Sequence, residues 1–225
     1  MPVLLGLFLG DAPTLFITLI NTPLLILRMD TFQKQKQDFL SKKDKSKKGS
    51  IDEKMKPIIA LINSLPSYYT TSSCAGRIVL LHQISGKKQE SKWLFSSHSP
   101  IRASQLQKSL STSKLPKKGV VWLLAEAPIM HIACRTVDDA WNLLGIFKRG
   151  GFKRASILSS TPNKTTIEAF GNHRVEVPVA EKGMLLFPLE TVAPLTKNSN
   201  EKLRRSHLLL KRLKEVLAKN KKNFL

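Results

Sequence analysis

The spacing of apolar residues predicts alternating helices and short strands along most of the chain. Apolar side chains recur every three or four residues in some segments, as on one face of a helix, and form short alternating or continuous runs in others. The predicted helices cover residues 30–43, a segment capped by Ser50 or Asp52 and apolar from 51 to 62, and residues 102–110, 137–148 and 201–220. The predicted strands cover residues 78–84, 92–95, 119–124, 129–134, 152–159, 165–170 and 173–179.

The order of these elements predicts an α+β fold with a mixed sheet packed against helices. Gly86-Lys87-Lys88 separates two predicted strands as a hairpin turn would, whereas other strands are separated by helices. A doubly wound parallel sheet requires a more regular alternation of strands and helices. Neither a Gly-x-Gly-x-x-Gly motif after a strand nor a Gly-Lys-Ser/Thr phosphate loop occurs, so the sequence does not predict a Rossmann fold.

The first 28 residues differ from the rest because they are almost wholly apolar. The uncharged run from 12 to 27 is shorter than the roughly 20 residues of a membrane-spanning helix, and the segment lacks the basic start and cleavage site of a secretory signal. It is a poor membrane anchor, an ordered extra element, or a product of a start codon placed too early. We expect the last, with Met29 as the initiator, residues 29–225 as a single domain, and a cytoplasmic location.

Charge changes this picture by pointing to a polyanionic partner. The 225 residues carry a formal net charge of +21, with basic blocks at 34–48 and 202–222, the second on a predicted amphipathic helix. Nucleic acid is therefore the first partner to consider, and an acidic membrane surface is the second. A merely solvated basic surface is the alternative. The two cysteines, Cys74 and Cys134, form neither a disulfide framework nor a zinc motif, so no metal site is predicted.

The stretch from Tyr68 to Ile78 contains the densest polar chemistry in the chain. It reads Tyr-Tyr-Thr-Thr-Ser-Ser-Cys-Ala-Gly-Arg-Ile, which combines hydroxyls, a thiol and a permanently charged guanidinium. We expect a loop over residues 70–77 between a helix and a strand. Such a loop is either a connection rich in Ser and Thr or a ligand loop, because it offers many donors and few of the usual turn residues.

Three further motifs carry candidate chemistry. In Trp-Leu-Phe-Ser-Ser-His, Trp93 is a core or stacking residue, and His98 lies just past the predicted strand. In Pro-Ile-Met-His-Ile-Ala-Cys-Arg, His131 is either a hydrogen-bonded core residue or a catalyst, and Arg135 precedes a helix. In Gly-Phe-Lys-Arg-Ala-Ser, Lys153 is part of a basic surface or of a phosphate-binding pair.

In this order, the four motifs resemble those of the tRNA wybutosine-synthesizing protein 3 family, from about residue 30 to 217. The resemblance implies a methyltransferase that uses S-adenosylmethionine. It implies methylation of the N-4 nitrogen of a wyosine-type base, 3′ of the anticodon in phenylalanine tRNA. The anticodon arm of this tRNA is then the expected partner, and no stable membrane association is expected.

The resemblance also leads to hypotheses for individual residues. Cofactor-binding residues are expected in the polar stretch, where they would hold the amino-acid end of the methyl donor or an RNA phosphate: Ser72, Ser73, Cys74 and Arg77. His98 or His131 would accept a proton. Tyr68, Tyr69 or Trp93 would stack on the base, and Arg135 and Lys153 would contact the substrate.

Two other classes of protein remain open from the sequence. A non-catalytic basic tRNA-binding protein would explain the charge without an affinity for a methyl donor. A membrane-associated basic protein would explain the apolar first segment as well. The oligomeric state is not determined by the sequence.

Overall fold

The structure, a computed structural model, describes residues 30–42, 51–85, 90–111 and 115–221. The helices in these ranges are α1 (Thr31–Leu40), α2 (Lys56–Asn63), α3 (Ala103–Ser109), α4 (Val137–Arg149) and α5 (Val192–Lys219). The strands are β1 (Tyr68–Cys74), β2 (Arg77–Gln83), β3 (Ser91–Ser97), β4 (Val120–Glu126), β5 (Ile129–Cys134), β6 (Arg154–Thr161), β7 (Lys164–Phe170), β8 (Val175–Glu181) and β9 (Met184–Leu185). The predicted turn at 86–88 and the apolar segment 1–28 lie outside the described residues.

The strands form two sheets that continue into each other. The first sheet has the order β1-β5-β7-β6, and the second has the order β3-β2-β4-β8-β9. Three links join the sheets: Ala75-Gly76 between β1 and β2, Ala127-Pro128 between β4 and β5, and residues 171–174 between β7 and β8. Because the joined strands are neighbours in both sheets, the links lie side by side, and Gly171 N–H donates to the Pro128 carbonyl at 2.9 Å. We call this row of links the sheet border.

Helices α2, α3, α4 and α5 create two large buried clusters, and α1 forms a small third cluster with Tyr69 and Ala133 on the opposite face of the first sheet. Residues of α2 and α4 pack on the first sheet, and Leu106 of α3 packs on the second. Helix α5 contributes Leu213 to the first cluster and Leu203 to the second, so this one helix braces both sheets. Because α5 crosses the sheet border, it places its middle turns beside the polar residues found there.

Capping bonds define the start of two helices. Asp30 Oδ1 accepts from the N–H of Phe32 at 2.7 Å and begins α1. Thr136 begins α4 with a reciprocal pair of bonds to Asp139, a capping box of the kind that satisfies the free N–H groups of a first turn. The predicted start at Ser50 or Asp52 is wrong for α2, which begins at Lys56 after Met55 without a side-chain cap. The carboxylate of Asp52 instead bonds Ala75 N–H.

The α+β class is confirmed, with three differences in detail. The strand pairings of the described residues are all antiparallel, where a mixed sheet was expected. Most of the predicted loop at 70–77 is strand, since β1 runs to Cys74 and β2 begins at Arg77. Helix α5 starts at Val192 rather than at 201; Pro194 fits there because the first N–H groups of a helix need no partner within it.

Within the part of the chain that the structure describes, no helix has both the length and the apolar character that crossing a membrane requires.

Candidate functional site

Gly76 sets the geometry of the sheet border. Its φ is +88°, a conformation that residues with a Cβ rarely adopt. A Cβ at this position would lie 2.6 Å from the carbonyl oxygen of Glu126 and 3.3 Å from the nitrogen of Pro128. The glycine therefore lets the first link approach the second, and this approach brings the ends of β1, β2, β4 and β5 together.

Asp52 and His98 converge on the same link from two other elements. Asp52 is 9% exposed, and its Oδ2 accepts from Ala75 N–H at 2.9 Å. Nδ1 of His98 lies 3.0 Å from the Gly76 carbonyl oxygen and 3.3 Å from Asp52 Oδ2. Since both neighbours of Nδ1 are acceptors, Nδ1 carries the proton, and Nε2 of neutral His98 is left as a base. The position of His98 past the end of β3 agrees with the sequence prediction.

The thiol of Cys74 lies beside this pair but is not activated. Burial raises the pKa of Cys74, against the smaller lowering effects of a backbone hydrogen bond with Gly76 and the charge of Arg77. A protonated thiol is a weak nucleophile. Sγ of Cys74, Nδ1 or Nε2 of His98 and a carboxylate oxygen of Asp52 lie within 4.8 Å of one another. In this group, Asp52 bonds the N–H of Ala75 and His98 bonds the carbonyl of Gly76, which gives both side chains a role in the sheet border. The absence of a metal stays a prediction.

A hydrogen-bonded line of three side chains crosses the first sheet. Ser72 on β1, His131 on β5 and Glu168 on β7 are paired in the register of neighbouring strands. Ser72 Oγ lies 2.7 Å from His131 Nδ1, and His131 Nε2 lies 2.8 Å from Glu168 Oε1. Because a carboxylate faces Nε2, that nitrogen carries the proton, and Nδ1 accepts from the Ser72 hydroxyl. Ser72 is exposed, so the line ends in a hydroxyl that a ligand can reach.

This line and Cys74 lie on the same side of β1. Side chains alternate along a strand, so Ser72 and Cys74 point to one face, about 7 Å apart along the chain, while Ser73 points to the other. Ser73 pairs with Met130, which is fully buried. Ser72 is therefore better placed for an external ligand than Ser73.

Arg77 lies at the start of β2 between an anion and an aromatic ring. Its guanidinium forms an ion pair with Glu126 on β4. The same guanidinium lies 4.1 Å from the centroid of the Trp93 ring. Trp93 is 42% exposed, and the Arg77 guanidinium covers part of its ring. The group offers a cation, an anion and an aromatic surface beside Cys74.

The remaining predicted site residues lie away from this group. Tyr69 is 2% exposed, and its ring packs against the rings of Phe32 and Phe39 of α1 at 5.3 and 5.6 Å between centroids. Arg135 forms an ion pair with Asp30 at the other end of β5. Lys153 is exposed in the link between α4 and β6. Tyr68 is 1% exposed, so neither tyrosine ring is favoured as a stacking surface. The roles of Arg135 and Lys153 stay predictions.

A basic groove opens on the helix side of the sheet border. It encloses about 530 Å³ between α5 and the segment before α2. Its lining residues are Lys54, Ile58, Arg204, His207, Leu208, Leu210, Lys211 and Lys214. Burial, followed by the charge of Lys54, lowers the pKa of His207 to about 4. His207 is therefore neutral at neutral pH. Lys54 links the groove to the Asp52–His98 pair, because it lies two residues after Asp52.

Sequence reasoning missed four residues of this arrangement. Glu168, Glu126, Asp52 and His207 were not singled out as site residues, although Glu168 alternates with the buried Ile167 and Ala169 on a predicted strand. That alternation predicts an outward side chain but not the register that places it opposite His131. Asp52 was interpreted as a helix cap. His207 was overlooked because it lies in a strongly basic stretch of the sequence.

Comparison with known proteins places this geometry in a family. A family model described as methyltransferase TYW3 matches residues 33–219. A Pyrococcus furiosus protein named tRNA(Phe) 7-((3-amino-3-carboxypropyl)-4-demethylwyosine(37)-N(4))-methyltransferase 1 is 33% identical over 186 residues, which cover 82% of this chain and 93% of the relative. The mouse protein named tRNA wybutosine-synthesizing protein 3 homolog is 36% identical over 182 residues, which cover 78% and 68%. The solved structure of the PH1069 protein from Pyrococcus horikoshii superposes with a TM-score of 0.73 at 29% identity, covering 83% of this chain and 95% of that one.

Proposed function

The chain belongs to the methyltransferase TYW3 family, and we propose that it methylates N-4 of a 4-demethylwyosine-type base at position 37 of tRNA(Phe). The proposal takes the base and the tRNA from the names of the relatives. It takes S-adenosylmethionine as the methyl donor from the sequence resemblance. A tRNA substrate also agrees with the cytoplasmic location expected from the sequence.

The observation that carries the proposal is the line from Ser72 through His131 to Glu168. A ring nitrogen that bears hydrogen must lose a proton when it gains a methyl group, so the reaction needs a proton acceptor. The exposed Ser72 hydroxyl can receive this proton while it passes its own to Nδ1 of His131. The resulting imidazolium is stabilised by the carboxylate of Glu168, 2.8 Å from Nε2.

The chemistry balances without a covalent enzyme intermediate. Bound S-adenosylmethionine would supply a methyl group on a positively charged sulfur, and one carbon–sulfur bond would break as the nitrogen–carbon bond formed. The proton from the nitrogen would stay on Ser72 Oγ, whose own proton passes to His131. Because the leaving group is a neutral thioether, orientation of the two substrates provides much of the rate enhancement. The nitrogen of the base is the nucleophile in this scheme. No nucleophile from the protein is needed, which agrees with the protonated state of Cys74.

The Arg77–Glu126 pair fits the amino-acid end of the proposed donor. That end carries a carboxylate and an ammonium, and the pair presents one charge of each sign. Planar guanidinium groups bind carboxylates with two parallel hydrogen bonds. The exposed part of Trp93 then offers a stacking surface for an aromatic ring of the donor or of the target base. His98, with its free Nε2, is the second candidate for the proton acceptor.

Single-turnover methylation with five variants tests the proton path. We expect Ser72→Ala, His131→Asn and Glu168→Gln to slow the methyl transfer, with His131→Asn slower by about 10²–10⁴-fold, the usual contribution of a general base. His82→Asn is the histidine control, because the His82 ring is also hydrogen-bonded, to the Lys118 carbonyl, but lies at the far end of β2. A large loss in His98→Asn with normal turnover in His131→Asn would move the base to His98.

A further inference from the structure

The basic groove between α5 and the segment before α2 has the features of a site for a phosphate chain. Lys54, Arg204, Lys211 and Lys214 place four exposed cations around its opening. Among the described residues, none of these four side chains has an ion-pair partner, whereas Arg205 on the next face of α5 bonds Glu201 and Lys56 bonds Glu53. The groove therefore concentrates positive charge that the protein itself leaves uncompensated.

The cations follow a stripe along one side of the helix. Arg204, Leu208, Lys211 and Lys214 are separated by three or four residues, the spacing that aligns side chains on one helix face. From Arg204 to Lys214 the stripe is about 15 Å long, at 1.5 Å per residue. This length suits several consecutive phosphates rather than one isolated anion. Leu208, which is 66% exposed, adds an apolar contact between the cations where a sugar would lie.

The groove lies next to the sheet border. His207 lines the groove, and its Nε2 is buried without a hydrogen-bond partner among the described residues. Lys54 on the rim of the groove lies two residues after Asp52, whose carboxylate bonds Ala75 N–H in the sheet border. A chain of phosphates in the groove would thus pass directly beside the sheet border that holds His98.

We propose that this groove binds the phosphodiester backbone of the tRNA substrate next to the base that is methylated. The inference rests on the proposed function for the identity of the RNA. Each phosphate held by a Lys or Arg side chain releases condensed counterions, so the affinity must depend on salt. The groove then fixes the register of the anticodon arm while residues on the sheets act on the base.

Binding of tRNA(Phe) to a triple variant of the full chain tests this site. In a plot of log K against log salt, each phosphate contact contributes about 0.7–0.9 to the magnitude of the negative slope. We expect Lys54→Gln, Lys211→Gln and Lys214→Gln together to reduce this magnitude by roughly 2 to 3. The expected loss of affinity is then on the order of 100-fold at 0.1 M salt. The matched control removes three exposed cations of α5 outside the groove, Lys197, Arg212 and Lys219, and should lose less than about 5-fold through long-range charge alone.

The possible outcomes separate this inference from the proposed function. Equal losses of affinity in the groove and control variants would overturn the groove as the RNA site, even if the wild-type protein methylates tRNA. The wild-type protein could fail to methylate tRNA while the groove variant alone loses affinity for tRNA. That result would contradict the proposed reaction and support the groove as the RNA site. Loss of binding to phosphatidylserine vesicles with unchanged tRNA affinity would assign the groove to a membrane surface and also overturn the inference.

An NMR titration of His207 gives a readout that does not depend on affinity. Phosphates in the groove would screen Lys54, one of the charges that lower the pKa of His207. We therefore expect tRNA to raise the pKa of His207 in the wild-type protein and in the control variant. A pKa that is unchanged in saturating tRNA would contradict the proposed location of the backbone.

Discussion

Replacing Gly76 by alanine should destabilise the protein and disturb the candidate active site together. The left-handed conformation costs a residue with a Cβ about 1–2 kcal/mol. The new methyl group would also lie 2.6 Å from the carbonyl oxygen of Glu126, a contact with backbone that cannot rotate away. The strands on both sides must shift to relieve it. We therefore expect a loss of roughly 3 kcal/mol, which corresponds to about 6–12 °C in Tm for a chain of this size.

Gly145→Ala is the matched control for Gly76→Ala. Gly145 lies within α4, and a Cβ there would meet only the flexible end of Arg149 at 3.5 Å. In a helix interior, alanine is favoured over glycine by about 0.5–1 kcal/mol. Thermal unfolding should thus move in opposite directions for two identical substitutions. A Tm for Gly76→Ala at or above the wild-type value would refute the account of the sheet border.

Three further predictions concern the residues around this border. Asp52→Ala should lower the free energy of unfolding by roughly 2–3 kcal/mol, because Ala75 N–H loses a hydrogen bond to a charged acceptor. Thermal unfolding, with Asp52→Asn measured for comparison, checks this loss, and an unchanged Tm would contradict it. Cys74→Ala should retain methyl transfer. In the wild-type protein the Cys74 thiol should react slowly with iodoacetamide at neutral pH, because burial raises its pKa. Fast alkylation would contradict this. The pKa of His207 is about 4 in the folded chain and near 6.5 in an unfolded one, so the unfolded state binds the proton first and stability should fall as the pH drops from about 6.5 to 4. Urea unfolding of His207→Asn should lack this part of the pH dependence, and an unaltered dependence would show that other groups cause it.

Periodicity was sufficient to predict most elements of the fold. The strand at 129–134 was predicted with the boundaries observed, and α4 was predicted to within one residue, because apolar spacing and capping residues agree there. The stretch from Thr70 to Cys74 was misinterpreted as a loop because its hydroxyls suggested ligand binding. Its β-branched threonines and an outward polar face are equally typical of a half-buried strand.

The candidate site was only partly predictable, because it depends on contacts between distant segments. His131 and Ser72 could be selected from the sequence, but their pairing follows from a bulge between Thr70 and Ser72 that shifts the strand register. Nothing in the local pattern places Glu168 across from His131 or Asp52 against Ala75. Such contacts arise from sheet order and the sheet border, which periodicity does not specify.

Transfer of an isotopically labelled methyl group is the measurement that tests the central claim most directly. The protein would be incubated with tRNA(Phe) that carries the 4-demethylwyosine-type base and with S-adenosylmethionine labelled with deuterium on its methyl group. Nucleosides would then be analysed by mass spectrometry. The account predicts that the modified base gains one fully labelled methyl group. An unlabelled and unchanged base, with the tRNA still bound to the protein, would contradict the proposed methylation and favour a tRNA-binding protein without this activity.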